Sequence, residues 1–319
     1  MAKGLILWGV KSIYYVSNLD EKDKKTYECR IKGKIIDIKT QIKNRKDISP
    51  LVTGDIVDFN IVDENSGVIV SRHERKNEIL RLKNNGREIQ TLAANTDRLI
   101  IVDSVVSPPV RPFFIDRCIF SAETMSIPVT IVLNKSDLIE KGSDEYTLTK
   151  RIIDAYSKIG IETIITSVSN GNGIDRLYNV LQNKISNMIG RSGVGKSSII
   201  KKLSNDRIDP RIGAVSSKFN RGTHTTNFSQ IYSFDNIRII DTPGIREFSI
   251  YIDQPSLVEQ YFRDFDGYRD NCKYPNCQHI SEPGCKVLEA LNDGLIYDFR
   301  YESYIRIRDT IDKLKDSKI

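Results

Sequence analysis

No stretch of the chain approaches about eighteen uninterrupted apolar residues, so a membrane-spanning helix is not expected. The opening Met1-Ala2-Lys3-Gly4 lacks the charged head and long apolar core of a secretory leader, which favours a reducing, cytoplasmic setting. In such a setting the five cysteines read poorly as disulfide partners. Histidine is scarcer still, at three. No internal repeat or low-complexity tract stands out either. The chain nevertheless has 319 residues, room for two or three domains, each able to bury a core.

Its most informative segment is Gly190-Arg191-Ser192-Gly193-Val194-Gly195-Lys196-Ser197, which fits GxxxxGK[ST] and is followed by a helix expected from Ser197, through Ser198, to Leu203. In such a loop the glycines let successive backbone N–H groups converge on a phosphate, the lysine bridges the β and γ oxygens, and the serine hydroxyl ligates Mg²⁺. The loop implies a nucleotide and says nothing of the base. Asn134-Lys135-Ser136-Asp137 supplies the base, because a carboxylate at Asp137 can accept from both the ring N–H and the exocyclic amine of guanine. GTP is therefore the expected ligand.

Asp241-Thr242-Pro243-Gly244 comes after a short apolar strand, residues 237–240, and fits DxxG, whose aspartate supports Mg²⁺ and whose glycine N–H meets the γ-phosphate. Between the two motifs lies Arg221-Gly-Thr-His224-Thr225-Thr226, where either Thr225 or Thr226 can close over Mg²⁺ as a switch. Ser167-Val168-Ser169, behind an apolar run at 163–166, suits the loop that packs the base from its other side. Alone, each fragment is weak: GxxxxGK[ST] occurs in chance loops and DTPG is often only a turn. The polar strand expected at 185–189, just ahead of the phosphate loop, is the least convincing element. Four motifs in one compatible order outweigh it.

That order is not the ordinary one, since the base-reading tetrad precedes the phosphate loop. Buried parallel strands are expected at 98–103 and 129–133, with helices at 112–124, 144–159 and 174–184. In a conventional GTPase these elements come after DxxG. A circular permutation moves the chain ends and leaves the sheet unchanged, and here it makes Gly244 run straight into the C-terminal part of the chain.

That part contains Cys272-x4-Cys277-x-His279-x5-Cys285, three cysteines and one histidine within fourteen residues. Three thiolates and one imidazole form a closed tetrahedral set suited to structural Zn²⁺, leaving no position for a catalytic water. The competing readings are a chance cluster and a disulfide pair. Cys29 and Cys118 stand apart and read as ordinary buried thiols. Helices are expected at 287–290 and 297–315, and Arg300, Arg306 and Arg308 read as a solvated helix face or as contacts to RNA.

The net charge of +6 is uneven: residues 1–90 hold 18 Lys and Arg against 13 Asp and Glu, which is +5 of the total. Arg30, Lys32, Lys34, Lys39, Lys43, Arg45 and Lys46 face a single acid, Asp37, within one run. Such a run can neutralise several phosphates with little base specificity, or can simply be a solvated loop. Short strands are expected at 5–13, 26–31, 55–62 and 67–71, a pattern that suits a small barrel such as an OB-fold. Tyr14, Tyr15 and Tyr27 offer stacking surfaces, although aromatic residues in strands more often belong to the core.

Taken in order, NKSD, SVS, GRSGVGKSS, RGTHTT, DTPGIREF and the Cys–His cluster resemble the RsgA family, circularly permuted GTPases of small ribosomal subunit biogenesis. Glu74-Arg-Lys-Asn77 and Ala93-Ala-Asn95 resemble that family's passage from an OB-fold into the GTPase domain. The resemblance implies three domains: an OB-fold barrel at 1–72, a circularly permuted α/β P-loop GTPase at 73–247 and a zinc-binding, α-rich region at 248–319. It also implies GTP hydrolysis stimulated by the small subunit and binding near its decoding region. Where many GTPases carry glutamine after DxxG this chain has the apolar Ile245, and the resemblance assigns water orientation to His224. Gly193 replaces the asparagine of K⁺-stimulated GTPases, so no such K⁺ site is expected. A monomer is expected. Two other classes stay open: a nucleotide-gated RNA-binding module with vestigial hydrolysis, and an ATP-dependent enzyme, which would have no use for NKSD.

Overall fold

The computed structural model describes residues 1–10, 12–21, 25–32, 50–83, 88–210, 229–242 and 255–316. Five N-terminal strands, β1 (Ala2–Val10), β2 (Ile13–Asn18), β3 (Thr26–Ile31), β4 (Ile56–Ile61) and β5 (Ser66–Arg72), close into a barrel in the order β1-β2-β3-β5-β4. Only β3 and β5 pair in parallel; the other neighbours are antiparallel. Alternation along each strand sends Ile6, Val16, Cys29, Val57, Phe59 and Ile69 inward. Tyr14 and Tyr27 join this core, whereas Tyr15 lies outside it, stacked on Trp8 at 3.7 Å. The single strand expected over 5–13 is in fact two, because the chain reverses between Val10 and Ile13 and pairs them across the turn. Apolar alternation on both sides of so short a turn conceals it.

A hairpin of β6 (Glu78–Lys83) and β7 (Glu88–Ala94), not anticipated from the sequence, leads into a six-stranded sheet. Its strands are β8 (Arg98–Ser104), β9 (Val129–Asn134), β10 (Glu162–Ile165), β11 (Ile185–Gly190), β12 (Gln230–Phe234) and β13 (Ile237–Asp241), ordered β10-β9-β8-β11-β13-β12. All pairs are parallel except β12 with β13, a hairpin that turns at Asp235-Asn236. Helices α1 (Pro112–Glu123), α2 (Asp144–Lys158), α3 (Ile174–Leu181) and α4 (Lys196–Leu203) connect and flank these strands. Pro112 opens α1 where a missing N–H costs nothing, and the Ser143 hydroxyl caps α2 by accepting from the Tyr146 N–H at 3.1 Å. β11 is the central strand of the permuted order, and its polar residues Ser186 and Asn187 are wholly buried. Asn187 is satisfied there by the Thr242 hydroxyl at 3.1 Å, which is how its amide is accommodated in the middle of a sheet.

Barrel and sheet are joined covalently and by hydrogen bonds. The Thr53 hydroxyl donates to the Ser229 carbonyl at 2.7 Å, and Arg75 forks onto Asp55 at 2.6 and 2.8 Å while reaching Glu78 at 2.7 Å. At the passage between them the Asn77 side chain pairs with the Thr96 backbone in both directions, each bond at 2.8 Å.

The C-terminal part consists of short 3-10 turns at Pro255–Tyr261, Arg263–Phe265 and Arg269–Asn271, then α5 (Lys286–Asn292) and the nineteen-residue α6 (Asp298–Asp316). Phe262, Phe265, Val287, Tyr304, Ile307 and Ile311 form its core, which also takes in Phe120 of α1. Arg300, expected on a solvated face, is 1% exposed. Its guanidinium meets Asp116 of α1 at 2.5 Å and Asp264 at 2.5 to 3.1 Å, and the Tyr156 hydroxyl donates to the same Asp116 at 2.6 Å. The helical spacing of α6 is apolar, but the face it presents to α1 needs one cation. Cys29 and Cys118 are both fully buried, and burial pushes the Cys29 thiol up to about 12 and the Cys118 thiol higher still. Among the described residues no helix is long and apolar enough to cross a membrane.

Candidate nucleotide site and metal cluster

β11 ends at Gly190 and α4 begins at Lys196, so the intervening loop sits at the carboxyl edge of the sheet with a helix N-terminus behind it. Two of its glycines have no substitute. Gly195 has φ +101°, and a Cβ there would lie 2.3 Å from Nδ2 of Asn134; a Cβ on Gly190 would lie 2.2 Å from the Val102 carbonyl oxygen. The loop is therefore wedged against β8 and against β9, whose last residue opens the tetrad expected to read the base. Asn134, at the end of β9, donates to the Val194 carbonyl at 3.0 Å and accepts from the Thr166 hydroxyl at 3.1 Å. Motifs 60 residues apart thus share one hydrogen bond.

Lys196 folds over its own loop, donating to the carbonyls of Gly190 at 2.6 Å and Arg191 at 3.1 Å. Burial pulls its ammonium below the usual lysine range, against the opposing pull of Asp241 and Asp103. Asp241, at the end of β13 and paired in register with Met188, is pushed up by burial and held down only by Lys196. A carboxyl desolvated to that degree, beside a phosphate loop, fits a divalent cation whose charge would keep it ionised. Ser197 stands half-buried one residue beyond the lysine; Ser192 and Gly193 are exposed and Val194 is buried.

At the base-reading end, Lys135 holds a left-handed backbone at φ 64° and its ammonium reaches the Ser107 carbonyl. The Ser136 N–H donates to the Thr166 carbonyl at 3.1 Å, and Asp137 lies exposed in the adjoining 3-10 turn. The Ser167 hydroxyl donates to Asp137 Oδ1 at 2.5 Å, the main reason this carboxyl lies below its ordinary range; burial opposes it weakly. Ser167 itself is wholly buried. The two loops expected to face guanine therefore meet at one carboxylate.

Sequence reasoning missed the partners that hold these groups. Asp103, at the end of β8, accepts from Arg191 at 2.7 Å and from the Ser104 and Arg111 N–H groups at 2.8 and 3.1 Å. Its only signal was an aspartate ending a buried apolar run. Asn187 and Thr242 brace β11 against the DxxG segment, and the polarity that made β11 look unconvincing was that signal. Thr225, Thr226, His224 and Gly244, with Lys34, Lys39, Lys43, Arg45 and Lys46, lie outside the described residues; Lys32 is described, just beyond β3.

The second cluster is Cys272, Cys277, His279 and Cys285, whose ligand atoms all lie within 4.8 Å of one another. Cys272 Sγ stands 3.9 Å from Cys285 Sγ, and His279 Nδ1 stands 3.7 and 3.3 Å from those two sulfurs. A tetrahedron with metal–sulfur bonds of about 2.3 Å has edges of about 3.8 Å, so the donors are already placed for a metal ion. Burial pushes the Cys277 thiol up to about 12, and a bound cation is what would hold it as thiolate. Around the cluster, Glu259 Oε2 stands 3.0 Å from His279 Nε2, and Tyr301 and Tyr304 of α6 donate to the carbonyls of His279 and Gln278 at 2.8 and 2.7 Å. Glu282 accepts from the N–H groups of Gln278, Ile280 and Ser281 at 2.8, 2.8 and 3.1 Å and so closes the loop.

Comparison with known proteins agrees with this geometry. Residues 72–251 match the family model described as RsgA GTPase, and residues 3–69 match the RsgA N-terminal domain. A small ribosomal subunit biogenesis GTPase RsgA from Borreliella burgdorferi is 37% identical over 313 residues, covering 98% of this chain and 96% of its own. One of the same name from Phocaeicola vulgatus is 34% identical over 307 residues, covering 96% of each. Among solved structures, YjeQ from Thermotoga maritima superposes with a TM-score of 0.73 at 28% identity, over 96% of this chain and 97% of that one. YloQ, described as a circularly permuted GTPase, superposes with a TM-score of 0.71 over 100% of this chain and 96% of its own, and at 24% identity shares the fold.

Proposed function

Because the chain belongs to the RsgA GTPase family, we propose that it binds the small ribosomal subunit through rRNA during late maturation, and that the subunit stimulates its GTP hydrolysis to bring about release. The observation that carries this reading is the bond from Asn134 to the Val194 carbonyl, which joins a guanine-reading tetrad to a phosphate loop in permuted order. The permutation matters because it leaves DxxG contiguous with the metal-binding region. We assign the barrel to residues 1–72, the GTPase to 73–247 and the C-terminal region to 248–319.

Guanine is read by Asp137, buttressed by Ser167, with Asn134, Lys135 and Ser136 fixing the loop; Gly190 to Ser198 cradle the phosphates and Gly244 meets the γ-phosphate. Lys196 exchanges its two loop carbonyls for phosphate oxygens, a trade its lowered pKa favours because phosphate returns the charge stabilisation that burial removed. Ser197, Asp241 and Thr225 or Thr226 would hold Mg²⁺, which supplies charge neutralisation across the β and γ oxygens when bound. His224 orients the attacking water, since an imidazole can polarise water at neutral pH. Cys272, Cys277, His279 and Cys285 would hold one structural Zn²⁺. Lys32, Lys34, Lys39, Lys43, Arg45 and Lys46 contribute phosphate contacts, and the protein acts as a cytoplasmic monomer.

The decisive experiment measures GTP turnover with and without purified small subunits. Subunits should accelerate the wild type, and His224→Ala should bind them normally while losing most of the acceleration. Absence of any acceleration in the wild type would overturn the proposal in favour of a nucleotide-gated RNA binder. For the metal, gently purified protein should carry close to one zinc per chain and Cys277→Ser should carry none.

A further inference from the structure

At the seam between the GTPase sheet and α6 lies a half-open cavity of about 510 Å³ whose lining, apart from Arg191 of the phosphate loop, none of the roles above uses. Its walls include the guanidinium side chains of Arg111, Arg117, Arg191 and Arg306 and a single acid, Glu302. Four guanidinium groups therefore face one carboxyl side chain across this space. The same seam shows how this protein treats an arginine whose role is structural: Arg300, three residues before Ser303 on the cavity wall, is matched by two carboxylates, Asp116 and Asp264. Arg111, Arg117 and Arg306 have no acid within ion-pairing distance among the described residues, and only Arg191 has one, Asp103. The Nε atoms of Arg117 and Arg191 are withdrawn from water without an acceptor. Arg306 instead places its guanidinium carbon 3.7 Å from the centre of the Phe113 ring, a cation–π contact that leaves hydrogen-bond donors for an anion.

We infer that this cavity is a second ligand site, for a phosphate-bearing small molecule of nucleotide size, separate from the guanine-nucleotide site. Forked guanidinium groups are the side chains best matched to phosphate, and several of them converging on one concave space exceed what a single surface ion needs. The volume lies in the range of small-molecule pockets, and the ring of Phe299 on the wall adds an apolar surface for a base or sugar.

The test uses the full-length protein saturated with GDP and Mg²⁺, titrated by calorimetry with ATP, pyrophosphate and inorganic phosphate in turn. The tetrad rejects adenine and GDP fills the base and β-phosphate positions, so ATP binding reports another site. Because GDP leaves the γ-phosphate position open, phosphate and pyrophosphate count for the cavity only where the arginine variants below weaken them. We expect at least one to bind with a stoichiometry of one. Arg117→Gln and Arg306→Gln should each weaken it about tenfold or more, while Glu302→Gln tightens it, with GDP affinity unchanged in all three. A general loss of structure would not tighten binding in the Glu302 variant, and Arg306 is exposed, so its replacement leaves the fold intact. If none of the three probes binds, or if they bind the variants as they bind the wild type, the cavity is a solvated cluster of arginines and the inference falls.

Discussion

Asp137 is exposed, yet the Ser167 hydroxyl already aligns it at 2.5 Å, so its role in choosing guanine is open to direct chemical inversion. Asparagine at 137 denies guanine its double acceptor and offers xanthine a donor, so Asp137→Asn should prefer xanthine over guanine nucleotides. Competition binding with GDP and XDP checks this, and a retained guanine preference would remove Asp137 from the site. Glu282 carries a pH prediction. Burial pushes its carboxyl up, but the amides of Gln278, Ile280, Ser281 and Glu282 itself outweigh that and hold it at about 2. A depressed carboxyl stabilises the fold fully above its unfolded value, about 4.5, and the contribution fades as pH falls toward 2. Glu282→Gln should therefore weaken metal retention equally at pH 7 and pH 5.5, measured by competition with a chelator. A defect in the variant that changes between those two pH values would show that Glu282 does not act as a permanently ionised loop clamp.

At the scale of elements, the interlock of α1 with α6 turns on Arg300. Its charge is fully buried and is satisfied only because Asp116 comes from one helix and Asp264 from a turn of the C-terminal region. Removing one member leaves the others desolvated and unpaired, which in buried pairs costs about 3–5 kcal/mol. Asp116→Ala should lower stability by about that amount in urea unfolding, whereas replacing Arg308 at the edge of α6, half-buried, should cost under about 1 kcal/mol. Similar small losses for the two would mean that packing of Phe120, Phe262 and Tyr304 alone joins these elements. Much of the element layout was legible beforehand. Residues 98–103 and 129–133 are short apolar runs bounded by polar residues, and the structure returns them as β8 and β9, while the helices at 112–124 and 144–159 return within one residue. The β1–β2 turn was not legible, because Lys11-Ser12 carries none of the Asn-Gly or Pro-Gly punctuation that marks a turn. The β6–β7 hairpin, by contrast, was legible and missed, since Asn85-Gly86 lies between its strands.

At the scale of the whole molecule, DxxG is followed in sequence by the metal-binding region, and we propose that a γ-phosphate held at Gly244 acts on the chain segment that leads to the cluster. We expect the small subunit to bind the form with a non-hydrolysable GTP analogue at least tenfold more tightly than the GDP form, which needs about 1.4 kcal/mol of differential binding. Sedimentation with each nucleotide decides it, and equal affinities would break the link between nucleotide and subunit. The sequence by itself determined the chemistry that is local to a few residues: a phosphate loop, a guanine-reading tetrad, a Cys–His cluster and the permuted order that relates them. Each depends on side-chain identity at fixed spacing, which survives without knowledge of the fold. Only the tertiary structure decided which charges meet. That Arg300 is buried between two carboxylates while Arg111, Arg117 and Arg306 stand around a cavity with one acid cannot be read from spacing. Asp116 and Arg300 are 184 residues apart, and burial and pairing at that range are set by how helices pack.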